Sequence, residues 1–356
     1  MTGIKNHGAF SSWDDVDLVE YINETAPTNF IQSLGIFKLR HSKTPTVALK
    51  EVFREYVAKA PIVPEEDRWH PTQLAESVIT KLSLAYIPYS DGITKADVQK
   101  RVPLDFSIEA ACNTKTVDDK VALCVREYLT QHRAEMDLAI EHSYQKALFE
   151  LVATDREGEE HDLTAEFGSV AQVKDIALQD PVIDVFDELD VIQANIRERL
   201  GKRVGNLQHI MCIATPSYFR QIKRHLSVKQ YTKGAGVLPT FETKFSGKFQ
   251  VAELNQILFV CAPANVKIGK GHGALYLPIL DEAESKVIYP DFYCDSQRVY
   301  AETEENQRYF SQCWTDIRRT TLTVDSDASY LPLITDPALL VQSNFNVVPA
   351  KADKAK

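Results

Sequence analysis

The chain has 356 residues, a formal net charge of −10, 44% hydrophobic and 25% charged residues. That length supports about two compact domains, and the composition is ordinary for a folded globular protein. The acidic balance argues against a surface built to grip nucleic acid, where a basic face is expected, while leaving DNA admissible as a neighbour.

Six cysteines stand at 112, 124, 212, 261, 294 and 313. No pair has C-x-x-C spacing and none is followed by histidines at zinc-site spacing, so reduced, buried thiols are expected instead of a disulfide framework. The opening MTGIKNHGAFSSWDDVD lacks a basic region followed by an apolar run, and no stretch approaches the roughly 18 apolar residues of a membrane span. The expectation is a protein made and used in a cytosol, or in something assembled there, with no membrane.

The first 40 residues read as an arm. DDVDLVEYINETAP places Val16, Val19 and Ile22 at helical spacing and stops before Pro27. NFIQSLGIFKL is apolar but too short for a domain, so Phe30, Leu34 and Phe37 must bury against something else, a partner or the edge of the chain's own core. From Thr44 the character changes. TPTVALKEVFREYV and SVITKLSLAYIPYS alternate loosely as strands do, and APIVPEEDRWHPTQ between them carries Pro61, Pro64 and Pro71, which cannot continue a ladder. An extended hairpin with a Pro-rich tip follows. A lone hairpin is marginal in water, so it needs a neighbouring subunit or its own domain to lie on.

Thr116 with Asp119 resembles a capping box and opens a run of about 33 residues without Gly or Pro. Its stripe comprises Val117, Val121, Cys124, Tyr128, Met136, Ala139, Ile140, Tyr144 and Ala147. At ~1.5 Å per residue such a helix is roughly 50 Å long and must run along the edge of a wide body. LVATDREGEEHDLTAEFG then predicts a hairpin turning at residues 156–159, with Gly158 available for positive φ. Beyond residue 170 helices and strands alternate. DVIQANIRERLG is a helix closed by Gly201 and SYFRQIKRHL another. HIMCIATP and NQILFVCAP are buried strands, while GALYLPILD and KVIYPDFYC add strand-like runs. The RRTTLTVDSDASYLPLITDPALLVQSNF stretch offers further strand material, and PAKADKAK reads as a loose tail.

No chemical motif survives scrutiny. GKGHG at 269–273 lacks the pattern of a phosphate loop or a dinucleotide site and reads as a loop. His132, Glu141 and His142 fall near the expected solvent edge of the long helix. Asp184, Asp187, Glu188 and Asp190 lack the central Gly and terminal Glu of a calcium loop and read as an acidic helix start. Arg220, Lys223, Arg224 and His225 share one helix without interleaved aromatics, as a charged outer face does. No catalytic residue, cofactor or metal ligand is assigned.

The order of these parts resembles the major capsid protein E family of lambda-like phages. Pro27, Phe30, Phe37, Thr44 and Val47 look like that family's early pattern. Tyr144, Ala147 and Leu148, with Glu166, Phe167 and Gly168, resemble its helix end and hairpin. Ser329, Pro332, Leu333 and Pro337 look like its closing segment, although Tyr330 and Leu331 stand where the family tends to place a small residue. The resemblance implies an α+β, Hong Kong 97-like phage coat fold with an N-terminal arm (1–40), an extended β-hairpin loop (41–105), a peripheral domain with a long spine helix (106–169 and 321–356) and an axial domain (170–320). It implies hexamers and pentamers of an icosahedral shell around phage DNA, bound without sequence specificity, with scaffold, portal and decoration proteins as partners. The candidate subunit-contact residues are Phe30, Phe37, Val63, Arg68 and Trp69. Two rivals are a cargo shell of the encapsulin kind and an α+β enzyme with an unfamiliar site.

Overall fold

The computed structural model describes residues 15–24, 29–48, 81–100, 117–234, 249–264, 266–268, 272–281, 287–295, 307–315 and 321–344. Helices α1 (Asp15–Glu24) and α2 (Phe30–Leu34) lead into β1 (Lys38–Ser42), β2 (Thr46–Ala48), β3 (Lys81–Ser83) and β4 (Ala85–Thr94). Helix α3 (Lys95–Lys100) precedes the long α4 (Val117–Gln145), which closes in a π turn over Lys146–Glu150. Next come β5 (Val152–Thr154), β6 (Glu160–Asp162), α5 (Leu163–Phe167) and β7 (Gln172–Val173). The middle of the chain holds α6 (Val185–Leu200), β8 (Leu207–Ala214), α7 (Pro216–Arg224), α8 (Leu226–Gly234), β9 (Val251–Leu254), β10 (Ile257–Cys261) and β11 (His272–Leu280). Strands β12 (Pro290–Cys294), β13 (Tyr309–Thr315), β14 (Thr321–Pro332) and β15 (Val341–Asn344) complete it.

Local chemistry sets these elements. Asp184 caps α6 by accepting from Phe186 N at 3.0 Å, and Val185, Leu189, Ile192, Ile196 and Leu200 recur at helical spacing, all buried. Gly201 follows at φ 54°, ending the helix as its sequence indicates. Thr215 caps α7 through Tyr218 N at 3.3 Å, with Pro216 in the first turn. The β5–β6 hairpin forms where expected, and Gly158 takes φ 82° in its turn. Strands β8 and β11 are buried along most of their length because other strands flank both and helices cover the sheet.

Two larger sheets result. The first is centred on the long β14, which pairs antiparallel with β4 from Thr94↔Thr321 to Ala85↔Tyr330, and with β13. Strand β12 joins its far end, and β1 lies parallel to β12. The second runs β7-β15-β11-β8-β10-β9. Segments 41–105, 170–320 and 321–356 each contribute strands to the first sheet, and β15 of the last segment goes to the second. Strand partners of this kind are selected across long sequence separations, so no local pattern announces them.

Two expectations change. The strand expected from Ser77 to Ser90 divides at the buried Leu84 into β3 and β4, and β4 continues to Thr94, paired along its length with β14 of the chain's own sheet. Of the expected hairpin, the described base is the β2–β3 ladder, whereas residues 49–80, with Val63, Arg68 and Trp69, lie outside the described residues. Thr116 and the side chains of Val16, Val117 and Asp119 also lie outside them. The second change concerns α4. Its buried face is wider than the apolar stripe: Leu129 is 0% exposed, Tyr128 only half-buried, and His132 and Glu141 are buried instead of edging toward solvent. The helix is covered on one flank by α1 and α2 and on another by β14, so two rows of side chains are enclosed, not one. The described cysteines 124, 212, 261, 294 and 313 are all free thiols. Among the described residues no helix is long and apolar enough to cross a membrane.

Candidate functional site

The second buried row of α4 is polar, and it fastens the arm. Glu141 accepts from Ile31 N at 2.8 Å and Gln32 N at 3.1 Å, capping α2 from outside. Burial pushes the Glu141 carboxyl up from its ordinary value, and the two backbone donors oppose that shift. Two turns earlier Arg133 donates to Ile22 O at 2.7 Å and to Asp137 at 2.9 Å, with its guanidinium 3.5 Å above the Tyr309 ring. Tyr309 OH donates to Asp137 at 2.6 Å, and Asn23 of α1 donates to Tyr309 O at 2.8 Å. Burial raises the Tyr309 hydroxyl to about 12, so it remains a donor at neutral pH. Each buried charge in this seam has a partner, which is the condition under which such groups are tolerated.

A second knot ties α4 to both sides of the first sheet. Tyr144 OH and Arg308 both donate to the wholly buried Asp291, whose other oxygen accepts from Leu331 N at 3.1 Å. His132 bridges Ser326 at 3.0 Å and Asp91 at 2.7 Å, and Tyr89 stacks on its ring. Arm, helix and sheet thus form one unit.

Phe30 and Phe37, expected as subunit contacts, have their rings in the chain's own core. Phe30 is 5% exposed and meets Phe249 edge-on at 4.9 Å, while Phe37 stacks on Tyr144 at 4.3 Å. Such ring pairs contribute about 0.5–1.5 kcal/mol beyond area burial. The subunit-contact reading therefore rests on Val63, Arg68 and Trp69, outside the described residues. The sequence reading missed Arg133, Asp137, Asp291, Arg308 and Tyr309. One signal was available: charged residues at i, i+4 and i+8 (133, 137 and 141) interrupt the core side of an otherwise apolar stripe.

Elsewhere the surface carries no catalytic constellation among the described residues. The acidic group at the start of α6 is an ordinary helix start: Asp184 is the cap, Glu188 pairs with Lys174 at 2.8 Å, and Asp190 accepts from Asn255 at 2.7 Å. Arg220 and Arg224 line a shallow cleft of about 440 Å³ with Leu178, Pro181 and Leu226. His225 is taken up by Ser227 at 2.9 Å and Asp180 O at 3.0 Å, so it belongs to the fold. Val182 and Val170 are exposed at 88% and 72%.

A long helix laid over a sheet, an arm clamped along it, a strand pair at the root of residues 49–80 and a second, six-stranded sheet define the α+β phage coat fold of the Hong Kong 97 type. A putative capsid protein of a prophage from E. coli CFT073 is similar at 12% identity and a TM-score of 0.55, covering 94% of this chain and 99% of that one. A phage-related protein from Bordetella bronchiseptica RB50 is similar at 12% identity and a TM-score of 0.51, covering 93% and 96%. No curated protein matches the chain. The family described as phage major capsid protein E matches residues 15–257, and the chain belongs to that family. It is a capsid shell protein, of a family and fold that are structural and not enzymatic.

Proposed function

We propose that the chain assembles into hexamers and pentamers of an icosahedral shell enclosing phage double-stranded DNA. The family match over residues 15–257 is the observation that carries this reading. The shell forms in the cytoplasm of a bacterial host, with a scaffold, a portal and a decoration protein as partners. In this reading residues 106–169 and 321–356 form the peripheral domain with α4 as its spine, residues 170–320 the axial domain at the centre of each capsomer, residues 1–40 the arm and 41–105 the extended loop. The arm's described part is fastened by the α4 seam, so the loop tip with Val63, Arg68 and Trp69 is left to reach a neighbour. Tryptophan and arginine are the residue types that most often anchor such contacts. A net charge of −10 keeps the wall from adhering to DNA, which is held by confinement and counterions instead of base-specific contacts.

Light scattering and negative-stain imaging of the purified full-length chain, alone and with its scaffold, test the proposal. Closed particles, hexamers, or sheets and tubes of hexamers are expected. Removing residues 63–72 should leave folded subunits that close no shells. A monodisperse monomer at high concentration under every condition would overturn the assembly reading, and normal particles from the deletion would overturn the role of the tip.

A further inference from the structure

Helix α6 turns outward a side that the chain's own fold does not use. Its buried row is Val185, Leu189, Ile192, Ile196 and Leu200. Helical spacing sets Asp187, Val191 and Ala194 opposite that row, all exposed, with the exposed Asp190 beside them. Asp190 gives one oxygen to Asn255, and Asp187 has no ion pair among the described residues. The cleft at the start of the same helix carries the opposite pattern. Arg220 and Arg224, one turn apart on α7, are exposed and have no ion pair among the described residues. Leu178, Pro181 and the half-exposed Leu226 are its apolar walls. Its shape is set by bonds within the chain. His225 Nε2 donates to Asp180 O at 3.0 Å, Val182 N donates to Asp180 Oδ1 at 3.0 Å, and Val185 N donates to Ser227 Oγ at 3.3 Å. The loop so held leaves the Val182 side chain standing in solvent beside Pro181.

We propose that this cleft receives the outward side of α6 from a second copy of the chain, and that the contact joins neighbours within a capsomer. Charge and spacing are complementary. Asp187 and Asp190 stand three residues apart on one helix and Arg220 and Arg224 four apart on the other, so each pair is separated by ~5–6 Å. With the carboxylates against the guanidinium groups, Val191 and Ala194 are brought to the apolar walls of the cleft, where Val182 extends the apolar surface. In a chain of net charge −10, a cleft with two arginines selects acidic surface of the chain's own kind and sets the register of the contact. Cleft and helix side are different patches, so each copy offers one and accepts the other. Such a head-to-tail contact closes into a ring. The inference rests on the assembly into hexamers and pentamers proposed above.

Charge reversal in the full-length chain tests the contact through its symmetry. Arg220→Glu with Arg224→Glu makes both patches acidic, and Asp187→Lys with Asp190→Lys makes both basic. By light scattering, each reversed chain should need at least roughly tenfold more protein than the parent to form capsomers, because like charges then face each other. All four side chains are exposed, so circular dichroism should stay that of the parent. Val182→Asp leaves both charge sets in place and should also block association; at an 88% exposed position it decides the matter should a reversed chain fold poorly. A chain carrying all four reversals regains capsomers. An equal mixture of the two reversed chains can only alternate around a ring, so native mass spectrometry should find hexamers and no pentamers, and imaging sheets or tubes without closed shells. If the parent assembles and either reversed chain or Val182→Asp assembles as well as it does, the contact is overturned and the shell reading stands. Reversed chains that neither the combined variant nor the mixture restores overturn it too. A parent chain that stays monomeric overturns both.

Discussion

Replacing Asp291 by Asn keeps the shape of the side chain and removes its charge from the most enclosed ionic group among the described residues. Asp291 is 0% exposed and serves three donors: Tyr144 OH, Arg308 Nη2 and Leu331 N. The substitution leaves the Arg308 guanidinium buried without a counter-charge and turns one acceptor into a donor facing other donors. Breaking a buried pair from one side costs about 3–5 kcal/mol. Tyr144→Phe removes only a hydroxyl and should cost about 1–3 kcal/mol. Total stability of a folded protein is about 5–15 kcal/mol, so the first change consumes a large share. Urea unfolding of dilute free subunits, followed by circular dichroism, measures both. The combined Asp291→Leu and Arg308→Met variant should be more stable than the sum of its single changes by about 1–3 kcal/mol, since neither charge is then left alone. Asp291→Asn costing under about 1 kcal/mol, or strict additivity of the pair, would show that the knot does not hold the helix to the sheet.

The position of the buried face on α4 gives a second test. Leu129→Asp places a charge at a wholly enclosed site and should abolish soluble folded protein, whereas the half-buried Tyr128 tolerates Asp with a loss of about 1 kcal/mol. Solubility and melting of the two variants decide it, and equal outcomes would contradict the placement. Glu141 supplies a pH signature. Its folded pKa is raised, chiefly by burial, so its contribution is fully present below the ordinary carboxylate value of 4.5 and is lost as pH rises through the raised value. Wild type should therefore lose stability relative to Glu141→Gln as pH climbs from about 4.5 toward neutrality, by denaturant titration at a series of pH values. A constant difference would refute it.

What the sequence determined by itself is the set of elements governed by neighbours in the chain. The α6 stripe with its Asp184 cap, the Gly158 turn and the uninterrupted α4 run are readable because capping, turn geometry and 3.6-residue periodicity act within a few residues. The order of those elements carried the family resemblance. Tertiary structure alone decided the rest. That β4 joins the chain's own sheet depends on ten pairings with β14, more than two hundred residues away. That Phe30 and Phe37 are spent on the core depends on where Phe249 and Tyr144 arrive. The polar row of α4 looked like a solvent edge because amphipathicity counts apolar residues and is blind to charges that will meet a partner. Arg133, Asp137 and Glu141 are buried because an arm and a sheet bring them acceptors, donors and an aromatic face, and only the folded chain supplies those.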